Sequence, residues 1–124
     1  MARVLIAEDE AELAQTLAGV LRGAGHDVRT TANGEEALEL AAEQCPDLVI
    51  SDWMLGSWTD GISLIEALRG KTPRLAAILM TGYPTARLRA WADPKKGLGF
   101  LEKPFSLSDF RALVEQVLGF TERA

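Results

Sequence analysis

Residues 48–52 read Leu-Val-Ile-Ser-Asp, and Trp53 follows. Four uncharged residues in a row leave no solvent-facing side. That is the pattern of a strand at the centre of a parallel sheet, covered on both faces. A carboxylate directly behind such a run is expensive unless it serves something. On the N-terminal side, residues 3–7 (RVLIA) form another short apolar run and read as a strand. Between the two, residues 10–24 put Leu13, Leu17, Val20, Leu21 and Ala24 on one helical face, and Gly25 stops them. Residues 26–31 (HDVRTT) alternate weakly, as an edge-like strand does. Asn33-Gly34 is a turn, residues 35–44 are rich in strong helix formers, and Pro46 ends that helix.

The alternation continues C-terminally. A loop runs through Gly61, and residues 62–69 form a helix with Asp60 as its N-cap. Residues 75–80 (LAAILM) are another buried strand, 84–92 a short helix, 93–97 a turn and 99–101 a brief strand. Residues 106–118 close the chain as a helix, capped by Ser106 or Ser108. Five strands alternating with five helices predict an α/β fold, a five-stranded parallel sheet with helices on both faces. The order 2-1-3-4-5 of the flavodoxin-like folds suits this size.

The chain of 124 residues is one domain's worth, with 48% hydrophobic and 25% charged residues. Thirteen basic against eighteen acidic residues give −5, a poor balance for binding nucleic acid directly. No apolar run approaches the ~18 residues of a membrane span. The N-terminus turns acidic at Glu8, unlike a signal peptide. One cysteine, Cys45, and one histidine, His26, exclude an internal disulfide framework and multi-Cys or multi-His metal cages. A cytoplasmic location is the expectation.

In such sheets ligands bind beyond the carboxyl ends of the strands, at the switch point between the first and third. Glu8 and Asp9 follow the first strand, Asp52 the third, Thr81 and Gly82 the fourth, and Lys103-Pro104 the fifth. Each has a plain structural reading. Acids favour helix starts, Thr81 suits a turn and Lys103 a solvated loop. Their coincidence at four strand ends favours a site. Glu8, Asp9 and Asp52 carry −3, and Lys103 brings the cluster to −2. All-oxygen ligands with this charge point to Mg²⁺, with Mn²⁺ as a substitute and Ca²⁺ a further hard cation.

The chain resembles the receiver domain of two-component response regulators, the chemotaxis-regulator-like fold. EDE at 8–10, SDW at 51–53, MTG at 80–82 and EKPF at 102–105 carry the resemblance, in order and with the family's spacing. It implies that Asp52 is the phosphoacceptor. It implies Mg²⁺ held by Asp9, Asp52 and the backbone carbonyl of Met54, with Glu8 acting through a water. Lys103 would neutralise phosphoryl charge, and Thr81 would donate its hydroxyl to a phosphoryl oxygen. Gly82 would leave room for the phosphate, and Phe100 would be the switch aromatic, turning inward behind Thr81. A cis Lys103–Pro104 bond is expected. The expected phosphodonor is a histidine kinase or histidine phosphotransfer protein, with an unknown downstream protein as target and no membrane or direct nucleic-acid partner. The output face would lie on the fourth helix, fifth strand and last helix, around Arg87, Arg89, Phe100 and Phe110, where a homodimer would also form.

Two departures stand out. Gly56 replaces the usual proline after the acceptor, and one extra residue puts Asp60 eight positions past Asp52. The turn before the last strand is one residue short, which predicts a short or displaced fourth helix. This longer loop, together with MTGY, is similar to receivers of hybrid kinases and stand-alone regulators. Met54 and Tyr83 are expected to shield the acyl phosphate from water. Trp53 is read as packing, Trp58 as an exposed partner contact and Cys45 as an inert helix-end residue.

Residues 1–124 are thus expected to be a single receiver domain without an output domain. Its only chemistry would be self-phosphorylation from small phosphodonors and slow self-dephosphorylation. Three readings compete. A receiver that never takes phosphate would act as a constitutive interaction module. A carboxylate-nucleophile phosphatase usually needs a second acid two residues after the nucleophile, where Met54 stands. A flavin- or nucleotide-binding domain wants a Gly- or hydroxyl-rich loop where Glu8, Asp9 and Glu10 stand.

Overall fold

The computed structural model describes residues 1–55 and 60–123, and side chains as far as residue 120. Gly56 and Trp58, singled out above, lie outside the described residues. The chain alternates β1 (Arg3–Ala7), α1 (Ala11–Gly23), β2 (Asp27–Thr31), α2 (Gly34–Glu43), β3 (Leu48–Asp52), α3 (Gly61–Lys71), β4 (Ala76–Thr81), α4 (Ala86–Trp91), β5 (Leu98–Glu102) and α5 (Leu107–Arg123). One 3₁₀ turn, Pro94–Lys96, precedes β5. All ladders between named strands are parallel, in the order β2-β1-β3-β4-β5, as the alternation implies.

The sheet divides the core. Val4, Ile6, Ile50, Ile78 and Met80 point to one side, under Leu17 and Leu21 of α1 and Phe110 and Val114 of α5. Leu5, Ala7, Val49 and Leu79 point to the other, under α2, Leu64 and Ile65 of α3, and Leu88 of α4. Every residue of β4 is buried. That is why residues 75–80 show no polar alternation. Phe110 is fully buried and stacks on Phe105, with ring centroids 6.0 Å apart. It therefore belongs to the core and is removed from the expected output face.

The boundaries shift where hydrogen bonds outvote composition. Asp52 and Thr81 are the last residues of β3 and β4, because the ladder carries on to Asp52↔Met80 and Thr81↔Glu102. His26 lies outside β2, its Nδ1 accepting from the Ala2 N–H at 3.0 Å. Gly25, with φ of 93°, takes the left-handed turn after α1. α4 is the short helix the tight turn predicts. It starts after Pro84 because the Thr85 hydroxyl accepts from the Leu88 N–H at 3.1 Å. The expected Asp60 cap is present, its Oδ1 accepting from Ser63 N–H at 2.7 Å. Ser106 takes the cap of α5, accepting from the Asp109 N–H at 3.0 Å, and α5 runs five residues past Leu118.

The loop after β3 is pinned at both ends. Trp53 N–H donates to the Met80 carbonyl at 2.7 Å, and Gly61 N–H donates to the Trp53 carbonyl at 2.8 Å. This brings the start of α3 against the strand end. A Cβ on Gly61 would overlap the Asp52 carbonyl oxygen and stand 2.8 Å from Leu79 Cδ1. Gly70, in the last turn of the same helix, has nothing within 4 Å. Gly61→Ala is expected to lower unfolding free energy by about 1–3 kcal/mol through overpacking. Gly70→Ala is expected to be neutral or to stabilise by up to about 1 kcal/mol. Urea midpoints of the two variants check the contrast.

Candidate functional site

The strand ends meet at one rim. β1 delivers Glu8 and Asp9, β3 delivers Asp52, β4 delivers Thr81 and β5 delivers Lys103. Glu8, Asp9 and Asp52 each bring one carboxylate oxygen within 4.8 Å of the others. The Lys103 ammonium lies between two of them, 2.7 Å from Glu8 Oε1 and 3.1 Å from Asp52 Oδ1. Lys103 is placed by its own backbone, whose N–H donates to the Thr81 carbonyl at 2.8 Å. The Lys103–Pro104 bond is cis, as the resemblance implies.

Burial grades the three acids. Glu8 is 2% exposed, Asp52 is half-buried and Asp9 is open to solvent. Both oxygens of Glu8 are engaged, Oε1 with Lys103 and Oε2 with the Glu10 N–H at 3.0 Å. Asp9 pairs with none of the described residues. Burial pushes the Glu8 carboxyl up, opposed by hydrogen bonds from Lys103 and the Glu10 amide. Burial likewise pushes Asp52 up; Lys103 opposes this and the charge of Asp9 adds to it. Burial would lower Lys103, but Glu8 and Asp52 outweigh it and hold the ammonium charged.

These residues fit a hard divalent cation. The donors are carboxylate oxygens, and the charge left after Lys103 is −2. Asp9 and Asp52 each keep an oxygen that neither Lys103 nor the Glu10 amide takes. Glu8 is occupied, in keeping with an indirect part for it.

Thr81 is buried. Its Oγ1 accepts from the Tyr83 N–H at 3.1 Å, so its own proton is available for another acceptor. A Cβ on Gly82 would meet only Lys103 Cβ, at 3.9 Å. Protein packing therefore does not demand a glycine there. Met54 bridges to Asp60 in antiparallel fashion, and its side chain is 61% exposed, against 86% for Tyr83. Both stand in solvent at the rim. Trp53 packs half-buried against the cluster of Leu64 and Leu79, as expected. Cys45 is free and exposed, beyond the end of α2. Phe100 is half-buried on the α3–α4 side. Arg89 covers its ring, a contact invisible to sequence spacing. The Glu8–Lys103 pair was equally hidden, because 95 residues separate the partners.

The chain is thus a doubly wound α/β domain with an acidic cluster gathered at its strand ends. Residues 4–115 match the response regulator receiver domain family, and the chain belongs to it. It is 28% identical over 116 residues to the nitrogen assimilation regulatory protein NtrX of Azorhizobium caulinodans, covering 93% of this chain and 26% of the relative. It is 30% identical over 115 residues to the DNA-binding transcriptional regulator NtrC of Escherichia coli K12, covering 93% of this chain and 24% of the relative. The crystal structure of the receiver domain of NtrX from Brucella abortus superimposes with a TM-score of 0.83 at 29% identity, covering 94% of this chain and 98% of that one. The chain spans about a quarter of the length of the curated relatives it matches. No helix among the described residues is long and apolar enough to cross a membrane.

The raised Asp52 carboxyl has a consequence for stability. A carboxyl raised above its unfolded value favours the protonated form in the folded state. Stability is then lost as pH rises through the interval between the unfolded and folded values. Without a divalent ion near pH 7, Asp52→Asn is expected to melt above the parent, with the gap narrowing as pH falls through the carboxylate range. Adding millimolar Mg²⁺ raises the parent's melting temperature more than the variant's. Scanning calorimetry with and without chelator checks both.

Proposed function

We propose that the chain is a phosphoryl-accepting switch and that Asp52 is the acceptor. The observation that carries this reading is the Lys103 ammonium held between Glu8 and Asp52 at the C-terminal ends of the strands. An Asp52 carboxylate oxygen attacks the phosphorus of a phosphohistidine on a histidine kinase or phosphotransfer protein. The new O–P bond forms as the N–P bond breaks, and the electron pair returns to the imidazole, which picks up a proton. Burial keeps Asp52 poorly solvated, which favours its use as a nucleophile. Lys103 stays against the acceptor and offsets the phosphoryl charge.

Asp9, Asp52 and the Met54 carbonyl would hold Mg²⁺, or Mn²⁺ in its place, with Glu8 contributing through a water. When bound, the ion supplies charge neutralisation for the transferred group. Thr81 turns its hydroxyl proton to a phosphoryl oxygen, and Gly82 keeps the space in front of it clear. Phe100 follows Thr81 inward. The face of α4, β5 and α5 that presents Arg87, Arg89 and Phe100 changes for a downstream partner or a second copy. Met54 and Tyr83, standing in solvent at the rim, act by shielding the acyl phosphate once it forms. The unit acts as one receiver in the cytoplasm, with no chemistry beyond phosphoryl uptake from small donors and slow loss.

Incubation with acetyl phosphate and Mg²⁺ is expected to add one phosphoryl mass to most of the protein. Chelation abolishes the gain, and Lys103→Met reduces it by an order of magnitude or more, the scale of lost charge stabilisation. Intact-mass spectrometry reads all three. No gain in the parent would leave the constitutive interaction module as the better account.

A further inference from the structure

Arg89 has contacts that the proposed site does not use. α4 is six residues long and has one buried side chain, Leu88. Its neighbour Arg89 reaches over β5. Its Nη2 lies 2.6 Å from Glu102 Oε1, and its guanidinium carbon lies 5.8 Å from the centre of the Phe100 ring. Phe100 and Glu102 are two apart on β5 and so share a face. In the ladder, Phe100 stands opposite Leu79 and Glu102 opposite Thr81. One guanidinium thus holds the switch ring and the strand partner of the switch hydroxyl together. The ring it covers is only half-buried, so the contact holds Phe100 on the surface side of this edge of the sheet.

We infer that Arg89 is a positioning residue that, through Glu102, latches Phe100 in this half-buried position and opposes its inward turn. The inference rests on the function proposed above. About half of each side chain of the ion pair is exposed, 56% for Arg89 and 49% for Glu102, so water and salt weaken it. A pair of this kind together with a cation–π contact shifts a two-state equilibrium roughly two- to fivefold. That is enough to bias a switch and too little to lock it. A latch on this position lowers the population of the inward arrangement, and uptake that proceeds through that population slows in proportion.

The test uses Arg89→Gln, Glu102→Gln and the charge swap Arg89→Glu with Glu102→Arg. Two quantities are read: the ¹³C NMR signals of the Phe100 ring without phosphate, and the rate of uptake from acetyl phosphate with Mg²⁺. Both single variants are expected to move the Phe100 signals toward their positions in the phosphorylated parent. Uptake should speed up roughly two- to fivefold, and the swap should return both readouts toward the parent. Far-UV circular dichroism checks that each variant is folded, and the two singles test the same pair from opposite sides. Unmoved Phe100 signals and rates in the singles overturn the latch while leaving the acceptor reading standing. A swap that behaves like the singles also overturns it, because position, not pairing, would then matter. A parent that takes up no phosphoryl group at all removes the acceptor reading and the latch with it.

Discussion

The Lys103 ammonium, 2.7 Å from Glu8 and 3.1 Å from Asp52, is the contact on which the rest depends. It joins the C-terminal ends of β1, β3 and β5 across the sheet. Without it, two half-buried or buried carboxylates would face each other with Asp9 close by, and burial would neutralise them instead of leaving them reactive. With it, the strand ends keep an excess of negative charge that is stable enough to fold around and still short of balanced. That residual imbalance suits a cation and a phosphoryl group together. The cluster therefore reads as a site under electrostatic tension.

The sheet supplies the frame that makes such a cluster tolerable. β3 and β4 are buried along almost their whole length, so the strand ends have little freedom to splay. The two core layers beneath α1 and α5 and beneath α2, α3 and α4 hold the ends from both sides. Gly61 is an exacting point of that frame, because α3 begins against the Asp52 carbonyl. On the far edge the packing is lighter. α4 is short, and Phe100 is only half-buried, with Arg89 across it.

Much of this was legible in the sequence. The apolar run before Asp52 and the alternation around it predicted the sheet and its order, because burial on both faces erases polar alternation. The strand-end acids, Thr81 and Lys103 could be collected by position alone, since a doubly wound sheet sends every strand end to one rim. What spacing could not reveal were side-chain encounters across long sequence distances. Lys103 meets Glu8, and Arg89 meets Phe100, only after the sheet has formed. Phe110 shows the limit from the other side: its place in the last helix is readable, but its full burial in the layer beneath α1 and α5 is seen only in the folded chain. Pro84 suited a helix start as well as Thr85 did, and a single hydroxyl bond decided between them. Gly61 could be seen only as a turn glycine, because its crowding comes from β3 and Leu79.

The central claim is that one carboxylate, that of Asp52, becomes the acyl phosphate. An acyl phosphate is reduced by borohydride to an alcohol, which leaves a permanent mark on the residue that carried it. Protein treated with acetyl phosphate and Mg²⁺, reduced and digested, is to be sequenced by tandem mass spectrometry. The account predicts the mark at position 52 and at no other acid. A mark at Glu8 or Asp9, or none in a protein that has gained a phosphoryl mass, would contradict it.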